Sequence, residues 1–299
     1  MVIKEIKNMK IFKLFRDVPC IRMISNARRM ISNARLRKTI IKYLEENGKT
    51  QDEKQALEYL KKNRLSVFIP DPSAKYNFTN IKVYIDEVNG LSYVMHHKKR
   101  LFFPEFMTIK EIIRYYRGLL IEQDPISPHY YFSAGAVIED GDVVIDIGAS
   151  EGIFAIDIVE RANKVYLIEG DASWIRPLKE TFAPWKDKVT IIHKYVSDVN
   201  VEPYATLDSL LIGEKVNFIK MDVEGFEERV LKGADALLSN ERLTVVACAY
   251  HNQHSERHIR KILAEKGFLT STSKGYMVFI YDEKLALPYL RRGLVIGKK

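Results

Sequence analysis

The chain has 299 residues, 46% apolar and 29% charged, the composition of a globular protein long enough for one large domain or two modest ones. Its net charge of +8 is uneven: residues 1–42 hold twelve Lys or Arg against only Glu5 and Asp17, which leaves the rest of the chain slightly acidic. That distribution argues against a charge-driven nucleic-acid-binding body, and no apolar run approaches the roughly 18 to 20 residues of a membrane-spanning helix.

No secretory leader is recognisable, and Cys20 and Cys248 stand far apart, so a reduced, cytoplasmic setting is expected. Lys4, Lys7, Lys10, Lys13 and Arg16 recur every three residues, a stripe that drifts around any α-helix. This is not the clean face of a membrane-lying helix. Its charge still suits peripheral contact with an anionic membrane, at about 1 kcal/mol per basic residue near the surface. "RMISNAR" then occurs twice in tandem, at residues 22–28 and 29–35. Seven residues make two helical turns, so the duplication keeps the buried face. Ile24, Ala27, Ile31 and Ala34, continued by Ile41 and Leu44, predict a helix from about Ile21 to Glu46. Residues 1–46 are read as a basic helical leader.

Residues 51–65 read as an exposed helix. Ile81, Val83 and Ile85 alternate with polar residues, and "NG" at Asn89–Gly90 predicts a hairpin returning through Leu91–His96. Thr108 and Glu111 form a capping box that opens the helix "TIKEIIRYYRGLL". These elements make residues 47–133 a small α+β extension.

From Gly141 strands alternate with helices. The strands are "VVIDIG" (143–148), "KVYLIEG" (164–170), "KVTIIHKYVSD" (188–198), "VNFIKMD" (216–222) and "LTVVACAY" (243–250), with "GYMVFIYDE" (275–283) last. The pattern predicts an α/β domain over 134–285, a mostly parallel Rossmann-like sheet with helices on both faces, followed by a basic tail, 286–299. Ligands then bind beyond the carboxyl ends of the strands. The ends to inspect are Asp146–Gly152, Glu169, Ser197–Asp198, Asp222–Gly225 and Tyr250–His251.

The loop after the first strand, "DIGASEG", selects among cofactors. No Lys or hydroxyl residue follows Gly152, which removes a P-loop. Glu169 lies 21 residues after Gly148, as a dinucleotide site wants, but Ser150 and Glu151 break the required glycine pattern. A carboxylate at that place also repels a pyrophosphate. S-adenosylmethionine has no phosphate. Asp146 suits its ammonium group, Gly148 and Gly152 allow close backbone approach, with Ser150 between them, Glu169 accepts both ribose hydroxyls, and Asp198 meets the adenine amino group with Ser197 beside it.

At this point "GDVVIDIGASEGIFAI", "VYLIEGD", "TLDSLL" and "VNFIKMDVEGFEERVLKGADALL" resemble the FkbM family of S-adenosylmethionine-dependent methyltransferases. "SPHYYF" (127–132) and Tyr250–His251 also resemble family positions, whereas Phe226 and "YHNQHSE" depart from them. The resemblance implies a class I methyltransferase fold and O-methylation of a sugar hydroxyl in a polysaccharide, glycolipid or glycosylated natural product.

An alcohol acceptor needs a base as the new bond forms. Asp222 and His251 are the candidates, with Glu224 close by, and Asp222 also suits the cofactor's methionine end. His129 and Tyr131 are expected to contact substrate. No "NPPY"-type segment follows the fourth strand, which argues against methylation of base amino groups. No metal site is expected: His254 and His258 stand i, i+4 on a helix without a third ligand. Two alternatives stay open: an NAD-dependent oxidoreductase on a Rossmann-like sheet, and a non-catalytic or RNA-directed methyltransferase-like protein. The sequence is silent on oligomeric state.

Overall fold

The computed structural model describes residues 19–280 and 285–299, with side chains from residue 32 onward. The triplet-spaced basic residues Lys4–Arg16 lie outside that range, and so do the side chains of the first "RMISNAR" copy. The chain divides into two compact units, residues 1–66 and 67–299. No helix among the described residues is long and apolar enough to cross a membrane.

The first unit is a helical pair, α1 (Pro19–Asn47) and α2 (Gln51–Lys62). The Thr50–Glu53 capping box starts α2. Ile40 and Leu44 of α1 are buried together with Ala56 and Leu60 of α2. The seam thus runs through Ile40, one position before the expected Ile41. The expected boundary at residue 46 falls within this hairpin.

In the second unit β1 (Phe68–Ile69) is followed by the antiparallel set β2 (Val83–Ile85), β3 (Ser92–His96) and β4 (Lys99–Phe102), then by α3 (Ile109–Glu122) with its Thr108–Glu111 capping box. The remaining elements are β5 (Val143–Ile147), α4 (Ile153–Ile158), β6 (Lys164–Glu169), α5 (Ala172–Phe182), β7 (Val189–His193), β8 (Tyr195–Val196), β9 (Tyr204–Ala205), α6 (Leu207–Leu210), β10 (Phe218–Met221), α7 (Glu227–Lys232), β11 (Thr244–Cys248), α8 (Ser255–Glu265), β12 (Leu269–Thr272), β13 (Tyr276–Met277) and β14 (Leu294–Lys298).

One seven-stranded sheet runs in the order β12-β14-β11-β10-β5-β6-β7. From β7 to β11 neighbouring strands are parallel, and β14 is antiparallel to both β11 and β12. Strand alternation splits the buried side chains between two faces. Val144, Phe218 and Val246 pack with Phe154 of α4 on one, and Ile145, Ile219 and Val245 pack with Val230 of α7 and Ile259 of α8 on the other. Asp146 and Lys220 share the parity of Val144 and Phe218, and the β5–β10 register sets them side by side.

Three expectations need correction. "GYMVFIYDE" is not the last sheet strand: among its described residues only Tyr276–Met277 form a strand, and it pairs with β1. The sheet is completed by Leu294–Lys298, from the segment read as a basic tail; its "LVIG" core is apolar and buried between β11 and β12. "KVTIIHKYVSD" breaks at Lys194, so Ser197–Asp198 follow the small β8–β9 pair rather than a main-sheet strand.

Candidate active site

The glycines of the loop have different duties. Gly148 has φ +69, and a Cβ there lies 1.9 Å from the Asp222 carbonyl oxygen, so only glycine lets the ends of β5 and β10 approach this closely. Gly152 has φ +84, and its Cβ meets the Phe182 ring at 2.7 Å. The absence of a side chain lets α4 pack against α5, and Gly152 is not among the residues lining the cavity described next. Ser150 between them is also left-handed at φ +47, and its N–H donates to Glu169 Oε2 at 2.8 Å.

Above the loop lies a cavity of about 330 Å³, within the range of small-molecule sites. α3 forms one wall through Arg114, Tyr115 and Glu122; Tyr131, Tyr250 and the ends of β5 and β10 close the others. Five carboxylates line it, Glu122, Asp146, Glu151, Asp222 and Glu224, against the cations Lys220 and Arg114. Such a lining favours a cationic ligand.

Lys220 is 4% exposed and Asp146 fully buried. Their charged atoms are 2.8 Å apart, and Lys220 Nζ also donates to the Gly148 carbonyl at 2.9 Å. Burial disfavours the Lys220 cation, but Asp146 and Asp222 outweigh it and raise the ammonium's pKa. Burial likewise pushes Asp146 up while Lys220 pulls it back; at this separation the pair stays charged. The contact is poorly aligned as a hydrogen bond, and Asp146 Oδ2 has no hydrogen-bond partner among the described residues.

Asp222 is the centre of a larger cluster. Tyr131 donates its hydroxyl to Oδ2 at 3.1 Å and Tyr250 to Oδ1 at 3.5 Å. His129 Nε2 lies 3.6 Å from Oδ2 and His251 Nε2 3.5 Å from Oδ1. Burial opposes ionisation of Asp222, yet His129, Lys220 and His251 hold its carboxyl well below the usual carboxylate range. It is therefore a firm anion and a weak base.

The other expected residues divide. His251 does not line the cavity. Its Nδ1 sits 2.9 Å from Glu227, which is 1% exposed, and Nε2 sits 3.6 Å from Glu224. Burial lowers its pKa, but Glu227 first, then Asp222 and Glu224, raise it above the ordinary histidine value. His129 is 2% exposed and lies behind Asp222 against Cys248, so it supports that carboxylate rather than facing a substrate. Tyr131 and Glu224 line the cavity, Glu224 at its rim with φ +52. Glu169 stands at the end of β6, where the Ser150 and Asp171 N–H groups occupy one oxygen each. Ser197 is buried, and Asp198 is held by Ser197 and by Arg229 at 2.7 Å, away from the cavity lining.

In the sequence Glu151 stands out only as a residue that breaks the dinucleotide pattern. It lines the cavity at 4% exposure and accepts a hydrogen bond from Tyr115 at 2.7 Å. Burial lifts its pKa to about 7, with the Tyr115 bond pulling the other way. Its Oε1 also faces the Ile153 N–H at the start of α4. A carboxyl thus already occupies the helix start where a pyrophosphate binds in dinucleotide folds. Lys220 is the other residue undervalued in sequence. The signal for it was present: a charge at an inward position of an apolar parallel strand.

A parallel sheet with one reversed strand inserted next to its fifth parallel strand, and a glycine loop after its first, defines a class I methyltransferase fold, which implies S-adenosylmethionine. Within that class, residues 180–270 match the family model described as the methyltransferase FkbM domain. Three solved structures are similar to it. The FkbM methyltransferase from Methylobacillus flagellatus KT is 17% identical with a TM-score of 0.45, over 63% of this chain and 54% of that one. A precorrin-6y C5,15-methyltransferase from Geobacter metallireducens GS-15 is 12% identical with a TM-score of 0.41, over 69% and 96%. The magnesium protoporphyrin IX methyltransferase from Synechocystis PCC 6803, with bound S-adenosylmethionine, is 18% identical with a TM-score of 0.35, over 54% and 71%. The chain spans about half the length of the Methylobacillus protein. No curated protein matches the sequence significantly.

The residues fit the implied cofactor. The buried Asp146 Oδ2 lacks a partner among the described residues, and the acidic cavity suits a ligand bearing a sulfonium and an ammonium. Asp146 and Asp222 would hold the ammonium end, Lys220 the carboxylate, and Glu169 the ribose diol.

Proposed function

We propose that this protein is an S-adenosylmethionine-dependent O-methyltransferase acting on a hydroxyl of a sugar or glycoconjugate. The observation that carries the reading is the buried Asp146–Lys220–Asp222 array at the ends of β5 and β10, beneath an acidic cavity. It offers carboxylate to an ammonium group and ammonium to a carboxylate, the two charges of an amino-acid end. The match to the FkbM domain model supports methyl transfer, and the sugar acceptor is what the family resemblance implies.

When bound, S-adenosylmethionine supplies a methyl group activated by its sulfonium. The chain's own residues must orient the acceptor, exclude water and take one proton. Asp222 is too weakly basic for the last task and serves as an anchor. Glu151 has the better basicity, with its pKa lifted to about 7. An acceptor hydroxyl seated against it gives its proton to the Glu151 carboxylate. The wall from α3, Arg114 and Tyr115 above all, supplies acceptor contacts. The basic leader is proposed to bring the enzyme to an anionic membrane carrying a lipid-linked acceptor.

Transfer of tritiated methyl from S-adenosylmethionine to a panel of glycosides tests the reading. Base-labile O-methyl product supports a carboxylate acceptor instead; alkali-stable product that releases labelled O-methyl sugar on acid hydrolysis supports the proposal. No transfer to any hydroxyl, with reduction of NAD in the same preparation, overturns it.

A further inference from the structure

Among the described residues, one group of metal-ligating side chains stands apart from the clusters at Asp222, on another part of the second unit. His96 ends β3, His97 follows it, and Asp157 lies in α4. His96 Nε2 and His97 Nδ1 are each 2.9 Å from the same oxygen, Asp157 Oδ1. Consecutive residues of a strand point to opposite faces. Here the turn into β4 is left-handed at His97 (φ +48) and Lys98 (φ +70), and it carries both imidazoles to one side, ring centroids 4.2 Å apart.

We propose that His96, His97 and Asp157 form a binding site for a divalent first-row transition ion of the zinc type. Two imidazole nitrogens and one carboxylate oxygen are a borderline donor set, suited to such an ion rather than to calcium or magnesium. The three ligand atoms lie within 4.8 Å of one another. A tetrahedral ion with ligands at about 2.0–2.1 Å spaces them roughly 3.3 Å apart, so each nitrogen–oxygen pair, now 2.9 Å apart, has to open by only a few tenths of an ångström. His96 is already oriented: its Nδ1 lies 2.9 Å from the Tyr116 hydroxyl, the outer hydrogen bond a metal-bound histidine needs to fix its tautomer. His96 is buried and His97 has 72% of its side chain exposed, so the ion is anchored from inside and reached from solvent, with its fourth position open to water. Lys99, at the start of β4, is turned to the Ile156 carbonyl at 2.8 Å and to Glu160 at 3.2 Å. Bound metal would clip the β3–β4 turn to α4, the helix that the Gly148–Gly152 loop opens.

The test is calorimetric titration of the full-length, chelator-stripped protein with zinc chloride, beside its melting temperature with and without zinc. The expected result is saturable one-to-one uptake and a zinc-dependent rise in melting temperature. Both are lost in His97→Ala, an exposed position whose change leaves the fold intact, and affinity falls about tenfold or more in Tyr116→Phe. His258→Ala leaves both unchanged. Absence of uptake, uptake that survives His97→Ala, or uptake removed by His258→Ala overturns the proposal.

Discussion

Lys220 Nζ stands 2.8 Å from Asp146 Oδ1, at one register position of the neighbouring strands β10 and β5, both side chains buried in an otherwise apolar sheet face. Each charge there is offset chiefly by the other, with Asp222 adding to the hold on Lys220. Removing one partner of a buried pair typically costs about 3–5 kcal/mol, because the remaining charge is uncompensated. Lys220→Met is therefore expected to destabilise the protein by about that amount, and Asp146→Asn with Lys220→Met to recover much of it. Urea unfolding of both single variants and the double one measures the coupling. Purely additive losses contradict the pairing.

Glu151 couples stability to activity. Its pKa is lifted to about 7 by burial, so the native state favours the neutral carboxyl. The unfolded chain releases that proton near the usual carboxylate value. The native state therefore loses stability as pH rises from about 4.5 to about 7, by about 2–3 kcal/mol. Glu151→Gln should melt higher than the parent protein at about pH 8 and equally at about pH 4.5, while the methyl-transfer rate falls about 10²-fold or more. An unchanged rate removes Glu151 from the proposed proton transfer.

The sign reverses for His251. Glu227, Asp222 and Glu224 raise its pKa despite burial. A cation stabilised in the native state contributes fully below the unfolded histidine value of about 6.5, and the contribution is lost as pH rises through the raised native value. His251→Gln should cost more stability at about pH 6 than at about pH 9. Denaturant curves at the two pH values decide it, and a cost that grows with pH contradicts the assignment.

The sheet was legible because β5, β6, β10 and β11 are apolar runs at βα spacing. β14 was not, since "LVIG" lies between basic residues and its partners are remote in sequence. Asp146, Gly148 and Asp222 could be read from the loop and the strand ends, where topology gathers ligand groups. The raised pKa of His251 could not. It depends on Glu227, whose approach is set by the left-handed turn at Glu224 and Gly225 and not by any periodicity. His129 was misplaced for the same reason: its burial behind Asp222 depends on how the 127–132 segment packs on Cys248. Pairs of charges created by tertiary approach leave no local pattern.

The most direct test of the central claim is a calorimetric titration with S-adenosylmethionine and, separately, NAD, using the parent protein and Asp222→Asn. One-site binding of S-adenosylmethionine, weakened about tenfold or more by the substitution and absent for NAD, is the predicted result. Binding of NAD alone, or S-adenosylmethionine binding indifferent to Asp222, contradicts the account.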